Sequence, residues 1–528
     1  MLHQILMTVK GLLLLTAAVY GFAALLHKED AAWVKRAPLQ IFVSMFVIGM
    51  WGHNVWVVYI ASLLALPILA RSRADAAALY CIMVVSLPLL NQKIFLGSLY
   101  LIPLNKYVFS ALGLAIACMI KRDKAVVPKR SRFDLPIILI MVLELTQARD
   151  PSVTATIRQC IPVIVTILVP YVFLSRALNT PQDVRRFLLT LALAGFVMAV
   201  VATAEARLHW LIYKQIQGNL NIDTQINAYM KMRAGMVRAP ASFVESTSLG
   251  TFLAIAVMAV MTVRDRFASR AKWLVALFFL LLGLMAANSR GAFVSVAIGA
   301  VAWDFYCRRY GALSAKVVAA GLLYLFALTA AQFSAFFAAM VGQGSGTEAT
   351  TEYRYLLLRR GLEEIRKHPL LGQTLDSALA NLQDLRQGEG IIDLVNGYIN
   401  YGLTLGYPGM VGLVLVFISL SLAMLAARRR FQSNGELLRD AACVFSIAVF
   451  SILNSFFTGF GGPSSMSFYQ VCALGAALWA MRRSAPITQI ARAVPDMTAS
   501  PGTTQPSGIA ALIAADRERA RTRGQVPA

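Results

Sequence analysis

The sequence predicts an all-α, polytopic membrane protein, a transmembrane helical bundle of about 13–15 spans. Three observations predict it. Of 528 residues, 58% are hydrophobic and only 14% charged, against about 45–50% and about 25% in soluble domains. Apolar runs long enough to enter a bilayer recur from Ile5 to Met481. Short basic clusters fall between these runs at intervals of an even number of spans, so all of them can lie on one face.

The first run, Ile5–Leu26, is long for a signal-peptide core, is interrupted by Lys10 and shows no convincing cleavage site. It reads as an uncleaved first helix. Runs 38–51 and 54–70 are split by Gly52-His53-Asn54, and stand either as two short spans or as a re-entrant hairpin. Spans follow at 76–91, 99–120, the short 135–148, 157–175 and 187–206. A polar stretch, 207–248, leads to spans at 249–263, 273–287, 291–307 and 317–340. A second polar stretch, 341–395, precedes spans at 396–427, 440–458 and 466–482.

The basic clusters are Lys28/Lys35/Arg36, Arg71/Arg73, Lys121–Arg132, Arg176/Arg185/Arg186, Arg264–Lys272, Arg308/Arg309 and Arg428–Arg430. With these cytoplasmic, both polar stretches lie on the outer face. The expected organisation is N-terminal transmembrane helices over 1–186, a core with the two outer loops over 187–482, and a disordered basic cytoplasmic tail over 483–528. One short helix is expected in that tail, at Ser507–Arg521. The 341–395 loop is long for a helix connection, and long loops in compact domains are often functional. Within it, Tyr355, Leu358, Leu362 and Ile365 recur at helical spacing, predicting a helix over Glu352–His368.

A net charge of +23 would suggest nucleic acid in a soluble protein. Here the charge sits in short loops and the tail, where it orients the chain against anionic lipid, and no basic face interleaved with aromatics points to nucleic acid. The six cysteines lie in or beside apolar spans and imply no disulfide framework, and no Cys/His spacing resembles a metal site.

Three arginines break the positive-inside pattern: Arg238, Arg290 and Arg354 stand on the outer face close to helix ends. An arginine out of place near a membrane surface needs a reason. Arg359 and Arg360 have Glu363 and Glu364 four residues on, and read as solvated ion pairs. Arg354 has Thr350, Thr351, Leu357 and Leu358 one turn away, so no local acid neutralises it. Its alternatives are a lipid headgroup or a distant acid. Arg290, in Asn288-Ser289-Arg290-Gly291, reads either as a turn residue snorkelling to lipid phosphate or as a ligand. Arg238, in Arg238-Ala239-Pro240-Ala241-Ser242-Phe243, reads either as a loop-stabilising donor or as a ligand. Three guanidinium forks at outer helix ends match the oxygens of a diphosphate. His368, before Pro369, reads as a helix C-terminal charge.

These segments resemble the O-antigen ligase and polysaccharide polymerase family of bacterial inner-membrane proteins. The resemblance rests on the Arg238–Phe243 segment leading to Leu249-Gly250, and on Asn288-Ser289-Arg290-Gly291-Ala292. It rests further on Tyr353-Arg354 followed by Leu362-Glu363-Glu364-Ile365 and His368-Pro369-Leu370-Leu371-Gly372. Asn396-Gly397-Tyr398-Ile399 and Gly406-Tyr407-Pro408-Gly409 are similar to the family's membrane re-entry segment. The resemblance covers roughly 190–430 and implies a GT-C-like bundle acting on a glycan carried by polyprenyl diphosphate. It implies that an acceptor hydroxyl attacks the anomeric carbon while arginines take up the charge on the leaving diphosphate, with no metal or other cofactor. No Asp-x-Asp motif is present. The expected partners are the polyprenyl-diphosphate-linked oligosaccharide, membrane lipids, and chain-length regulator and export proteins.

Ligases of the family typically carry His before the Asn of the re-entry motif, and this chain has Val395. Asp393, Glu389 and His368 are the substitute base candidates. That departure turns the expectation toward a polysaccharide polymerase, with an O-antigen ligase as the alternative. A lipid-linked glycan flippase is the rival from another class. It should show charged or broken helices near the midplane, whereas the polar sequence here is concentrated in unequal outer loops.

Overall fold

The computed structural model describes residues 2–482 except 97–98, 122–130, 132, 150–151, 221, 223–231, 234, 244, 344, 387–391 and 460–461. The expected tail, with its helix at Ser507–Arg521, lies outside the described residues, as does Glu389.

The chain is an all-α bundle. It opens with α1 (Leu2–Leu25), α2 (Lys28–Val34), α3 (Ala37–Trp51), α4 (Val55–Leu69) and α5 (Arg73–Val85). A hairpin of β1 (Asn91–Leu96) and β2 (Leu99–Asn105) precedes α6 (Lys106–Ile120) and α7 (Asp134–Leu145). Then come α8 (Val153–Val163), a π-helical stretch, α9 (Val169–Ala177), α10 (Pro181–Leu208) and α11 (Ile212–Asn219). A two-residue pair, β3 (Met232–Arg233) and β4 (Met236–Val237), leads to α12 (Ser246–Thr262), α13 (Arg270–Ala287) and α14 (Arg290–Tyr306). The last part holds α15 (Tyr310–Ala330), α16 (Ala335–Val341), α17 (Ser345–Lys367) and α18 (Leu375–Asn381). It closes with α19 (Gly397–Phe431), α20 (Gly435–Asn454) and α21 (Gly462–Met481).

Each of the fifteen expected spans meets a helix, and they differ in kind. Among the described residues, seven segments are long and apolar enough to cross a membrane: Leu2–Leu25, Lys28–Trp51, Thr156–Ala177, Pro181–Leu208, Arg270–Ala287, Tyr310–Ala330 and Gly397–Phe431. Four more, Val55–Leu69, Lys106–Ile120, Ser246–Thr262 and Ser467–Met481, are apolar but shorter. The remaining four, α5, α7, α14 and α20, fall short on length or apolarity.

Two boundaries need correction. The helix expected over 99–120 begins only at Lys106, because 99–105 is β2, paired antiparallel with β1 from Asn91↔Asn105 to Leu96↔Leu99. Pro103 removes a backbone donor that a helix interior needs, and the Asn105 side chain caps α6 by accepting from Tyr107 N (3.0 Å) and Val108 N (3.1 Å). The helix expected over 317–340 breaks after Ala330 into α15 and α16.

The apolar core centres on α10, buried along most of its length from Val184 to Ala202. Small residues let its neighbours approach. A Cβ added at Gly195 would strike Ala256 of α12, and one at Gly283 of α13 would strike Ala199. A second, smaller core lies where α17 and α18 cover the first part of α19, joining Leu357, Ile365, Ala378, Leu382, Ile399 and Leu403. The buried face of α17 therefore runs through Leu357, Gly361 and Ile365, while Tyr355 and Leu358, counted on the apolar side from spacing alone, are exposed.

The turn after α17 is spliced into α19. Within an unbroken helix Tyr407 N would donate to Leu403 O. Instead it donates to Pro369 O (2.8 Å), and Leu403 O accepts from Gln373 N (2.8 Å). Gly406 makes the exchange possible by leaving the helix at φ 70°, ψ −166°. Arg149 holds the same turn through the carbonyls of Leu371 and Gly372, the latter at 2.9 Å. Gly372 itself sits at φ 62°, and a Cβ there would lie 2.5 Å from Leu405 N. Gly372→Ala should therefore destabilise the protein by about 1–3 kcal/mol from backbone strain alone, with the clash in addition. Thermal unfolding in detergent checks this, and Gly218→Ala, with nothing within 4 Å of an added Cβ, serves as the near-neutral control.

Candidate functional site

The last turn of α20 is where the elements carrying the flagged residues meet. Ser451 and Asn454 at the end of α20, with Ser455 and Thr458 in the turn beyond it, line a small cavity of about 10 Å³ together with Thr251, Ile255 and Phe468. Asn454 Nδ2 donates to Thr251 Oγ1 of α12 (3.0 Å) and to Thr458 Oγ1 (3.2 Å). Gly397 N, at the start of α19, donates to Ser455 O (2.7 Å), and Tyr398 Oη donates to Ile452 O (2.8 Å). The first turn of α14 packs here too, since a Cβ at Gly291 would lie 3.3 Å from Asn454 Oδ1 and 3.4 Å from Phe457 Cβ.

Arg354 reaches this turn from α17. Its Nη2 donates to Phe457 O (3.2 Å), and its guanidinium carbon lies 5.7 Å from the centre of the Phe457 ring. Its Nε is buried with no hydrogen-bond partner among the described residues. Beside it, Tyr353 Oη donates to Asp393 O (2.9 Å) and accepts from Asp393 N (2.9 Å), which ties α17 to the irregular residues 392–396 before α19.

Arg290 opens α14 immediately after a tight corner. Asn288 takes the left-handed conformation at φ 46°, ψ 48° and closes α13 by donating to Leu284 O and Met285 O. Arg238 is placed by the loop that follows it. Ala239 N donates to Ala286 O (3.0 Å), and the buried Glu205 carboxylate at the end of α10 accepts from Ala241 N (2.9 Å) and Ile212 N (3.0 Å).

A fourth arginine belongs to this group and was not singled out from the sequence. Arg233 of β3 donates from Nη1 to Asn288 O (3.2 Å), and Asn288 Nδ2 donates back to Arg233 O (3.4 Å). Burial, then the charges of Arg238, Arg290 and Arg354, pushes the Arg233 guanidinium down to about 10. The Arg354 guanidinium is lowered in the same way, by burial and then by Arg290 and Arg238, with Asp393 acting against them. Arg238 and Arg290 therefore act against the charge of both Arg233 and Arg354.

The structure distributes the three base candidates unevenly. Asp393 falls within the field of Arg354. His368 is exposed just past the end of α17, 14 residues from Arg354, which is about 21 Å of helix rise. Glu389 lies outside the described residues. Val395 packs against the smaller core. Along α17, Arg359 pairs with Glu363 (3.3 Å) as expected, but Arg360 turns to Glu363 (2.9 Å) and Asp384 (2.7 Å) rather than to Glu364. Glu364 instead takes Lys367 (2.7 Å), Gln373 (3.0 Å) and Asn381 (2.7 Å).

The sequence reading places residues 451–458 simply at the end of the 440–458 span. A signal was present, because Ser451, Asn454, Ser455 and Thr458 recur at positions i, i+3, i+4 and i+7, a polar stripe down an otherwise apolar helix. Arg233 had no comparable signal, being one basic residue in a long polar loop.

Residues 275–414 match the family model described as O-antigen ligase (Wzy_C). The match supports membership of the O-antigen ligase family and, with it, a polysaccharide-related function of the ligase or polymerase type. It takes in Arg290, Arg354, His368, Asp393 and Val395, and leaves Arg233, Arg238 and the last turn of α20 outside. No curated protein matches the chain.

A cluster of like charges should take up a polyanion. Inorganic pyrophosphate, at matched ionic strength, should raise the midpoint of thermal unfolding of the detergent-solubilised protein by mass action. The rise should shrink in Arg290→Ala and Arg354→Ala; an equal rise in all three proteins would remove these residues from the anion site.

Proposed function

We propose that this O-antigen ligase-like chain is a polysaccharide polymerase-like glycosyltransferase of a bacterial inner membrane, joining polyprenyl-diphosphate-linked repeat units on the periplasmic face. The single observation that carries the reading is the group of guanidiniums at Arg238, in the loop before α12, Arg290, at the start of α14, and Arg354, which reaches Phe457 O from within α17. Guanidiniums stay charged and present paired donors, so they suit a diphosphate whose charge grows as it leaves. In the reaction the acceptor hydroxyl oxygen bonds to the anomeric carbon and the bond from that carbon to the diphosphate oxygen breaks. The electron pair departs on the diphosphate, and the hydroxyl proton passes to a base. Asp393 is the candidate base that lies with the arginines. The arginines would hold the diphosphate in place before and after the bond breaks, so no rearrangement is needed as charge develops.

Polymerisation is favoured over ligation by Val395, which puts an apolar side chain where ligases of the family typically place a histidine. Mass analysis of polyprenyl-linked glycans in a deletion strain tests the reading. Single repeat units accumulating on the outer face support polymerisation. Long chains retained on the carrier would assign ligation, and units confined to the cytoplasmic face would assign a flippase. Arg354→Ala, at equal protein level, should lower the transfer rate by about 100-fold, the scale seen when one donor to a developing oxyanion is removed. Unchanged polymer yield and length in that variant would take Arg354 out of the site.

A further inference from the structure

We propose that the end of the bundle opposite Arg290 binds an anionic phospholipid, its headgroup held by Arg309 and Arg428 where α14, α15 and α19 meet and its acyl chains laid along α15.

The corner is built from the end of α14. Tyr306 lies 16 residues past Arg290, about 24 Å of helix rise. Its Oη donates to Met424 O (2.7 Å), which fixes the ring against α19, and the Arg428 guanidinium carbon sits 5.5 Å from the ring centre. Past Tyr306 the chain turns sharply. Arg308 takes the left-handed conformation at φ 56°, and Arg309 N donates to Asp304 O (2.9 Å), so that Arg309 stands at the head of α15. Lys316, within α15, reaches back to Asp304 (2.7 Å). Arg309, Arg428 and Lys316 all act on Cys307, and Asp304 is the acid acting there with them.

Charge distinguishes this corner. At the same end of the bundle Arg185 pairs with Asp265, Arg186 with Asp75 (3.1 Å) and Arg266 with Asp30 (3.3 Å). Among the described residues no carboxylate lies within ion-pair distance of Arg309 or Arg428, and Asp304 pairs with Lys316. A basic loop that only orients the chain needs no such convergence of cations from three helices. Guanidiniums match the oxygens of a phosphodiester through paired donors, and basic pockets between membrane helices take such headgroups.

The apolar surface beside the corner suits the rest of a lipid. None of the 21 residues of α15 is buried, and Val317, Val318, Leu322 and Leu325 are exposed along it. The helix is long and apolar enough to cross a membrane. Exposed Tyr310 opens it, at the level where aromatic rings meet headgroups. One anionic lipid would thus meet the unpaired guanidiniums with its phosphate and the apolar flank of α15 with its chains.

The test titrates the full chain, in detergent, with phosphatidylglycerol or phosphatidylcholine of identical acyl chains and counts bound lipid by native mass spectrometry. The wild type should bind phosphatidylglycerol about tenfold more tightly, the scale of one charge-assisted contact. Arg309→Gln and Arg428→Gln should each bring the two lipids close to parity, while Arg428→Lys should keep part of the preference. Arg309 is exposed, so its variant reports on the lipid even where Arg428→Gln loosens the contact with Tyr306. Arg270→Gln removes an exposed charge at the start of α13 and should leave the preference intact.

Equal affinity of the wild type for the two lipids would overturn the inference. A loss in Arg270→Gln as large as that in Arg309→Gln would replace the site with diffuse attraction to a basic surface. Displacement of the bound phosphatidylglycerol by glycerol phosphate at equal concentration would make the ligand a soluble phosphate ester, and would overturn the lipid assignment.

Discussion

The exchange of hydrogen bonds at Gly406 is the interaction on which the arrangement of the site depends. Tyr407 N and Leu403 O, which would bond each other in an unbroken helix, bond Pro369 and Gln373 instead. The cap formed by α17 and α18 is thereby built into the helix it covers. The two groups named here both find partners across the break, as irregular backbone in an apolar surround requires. From this fixed turn α17 runs back across α19, close enough at Gly361 that an added Cβ would lie 2.5 Å from Ile399 Cγ2. Further back along α17, Arg354 donates to Phe457 O.

The second constraint is repulsion. Arg233, Arg238, Arg290 and Arg354 are each partly withdrawn from water, and the charges of Arg238 and Arg290 disfavour those of Arg233 and Arg354. What holds them is backbone. The left-handed corner at Asn288 sets Arg290, the Glu205 carboxylate sets the loop after Arg238, the reciprocal Asn288 bonds set Arg233, and the α17 turn sets Arg354. Because these restraints belong to different elements, the charges are positioned before any ligand arrives. Such preorganisation is what lets fixed dipoles and charges act on a transition state without moving.

The two halves of the site differ in origin. Arg290, Arg354 and Asp393 fall in the segment that matches the O-antigen ligase family, whereas Arg233, Arg238 and the polar last turn of α20 come from flanking sequence.

The sequence by itself determined the all-α bundle and the position of nearly every helix, and it singled out Arg238, Arg290 and Arg354 as candidates. Those features are local: a span is a run of apolar residues, and a charge is read against its neighbours one turn away. Tertiary structure alone decided that 99–105 is a strand, that α19 breaks at Gly406, that Arg360 prefers Asp384, and that Arg233 joins the other three arginines. Each of these turns on a partner far along the chain, such as Pro369 for Tyr407 and Asn288 for Arg233. Hydrophobic periodicity records which side of a helix meets apolar surroundings, but it does not record which distant backbone group will complete a hydrogen bond or share a field. Those pairings exist only once the chain has packed.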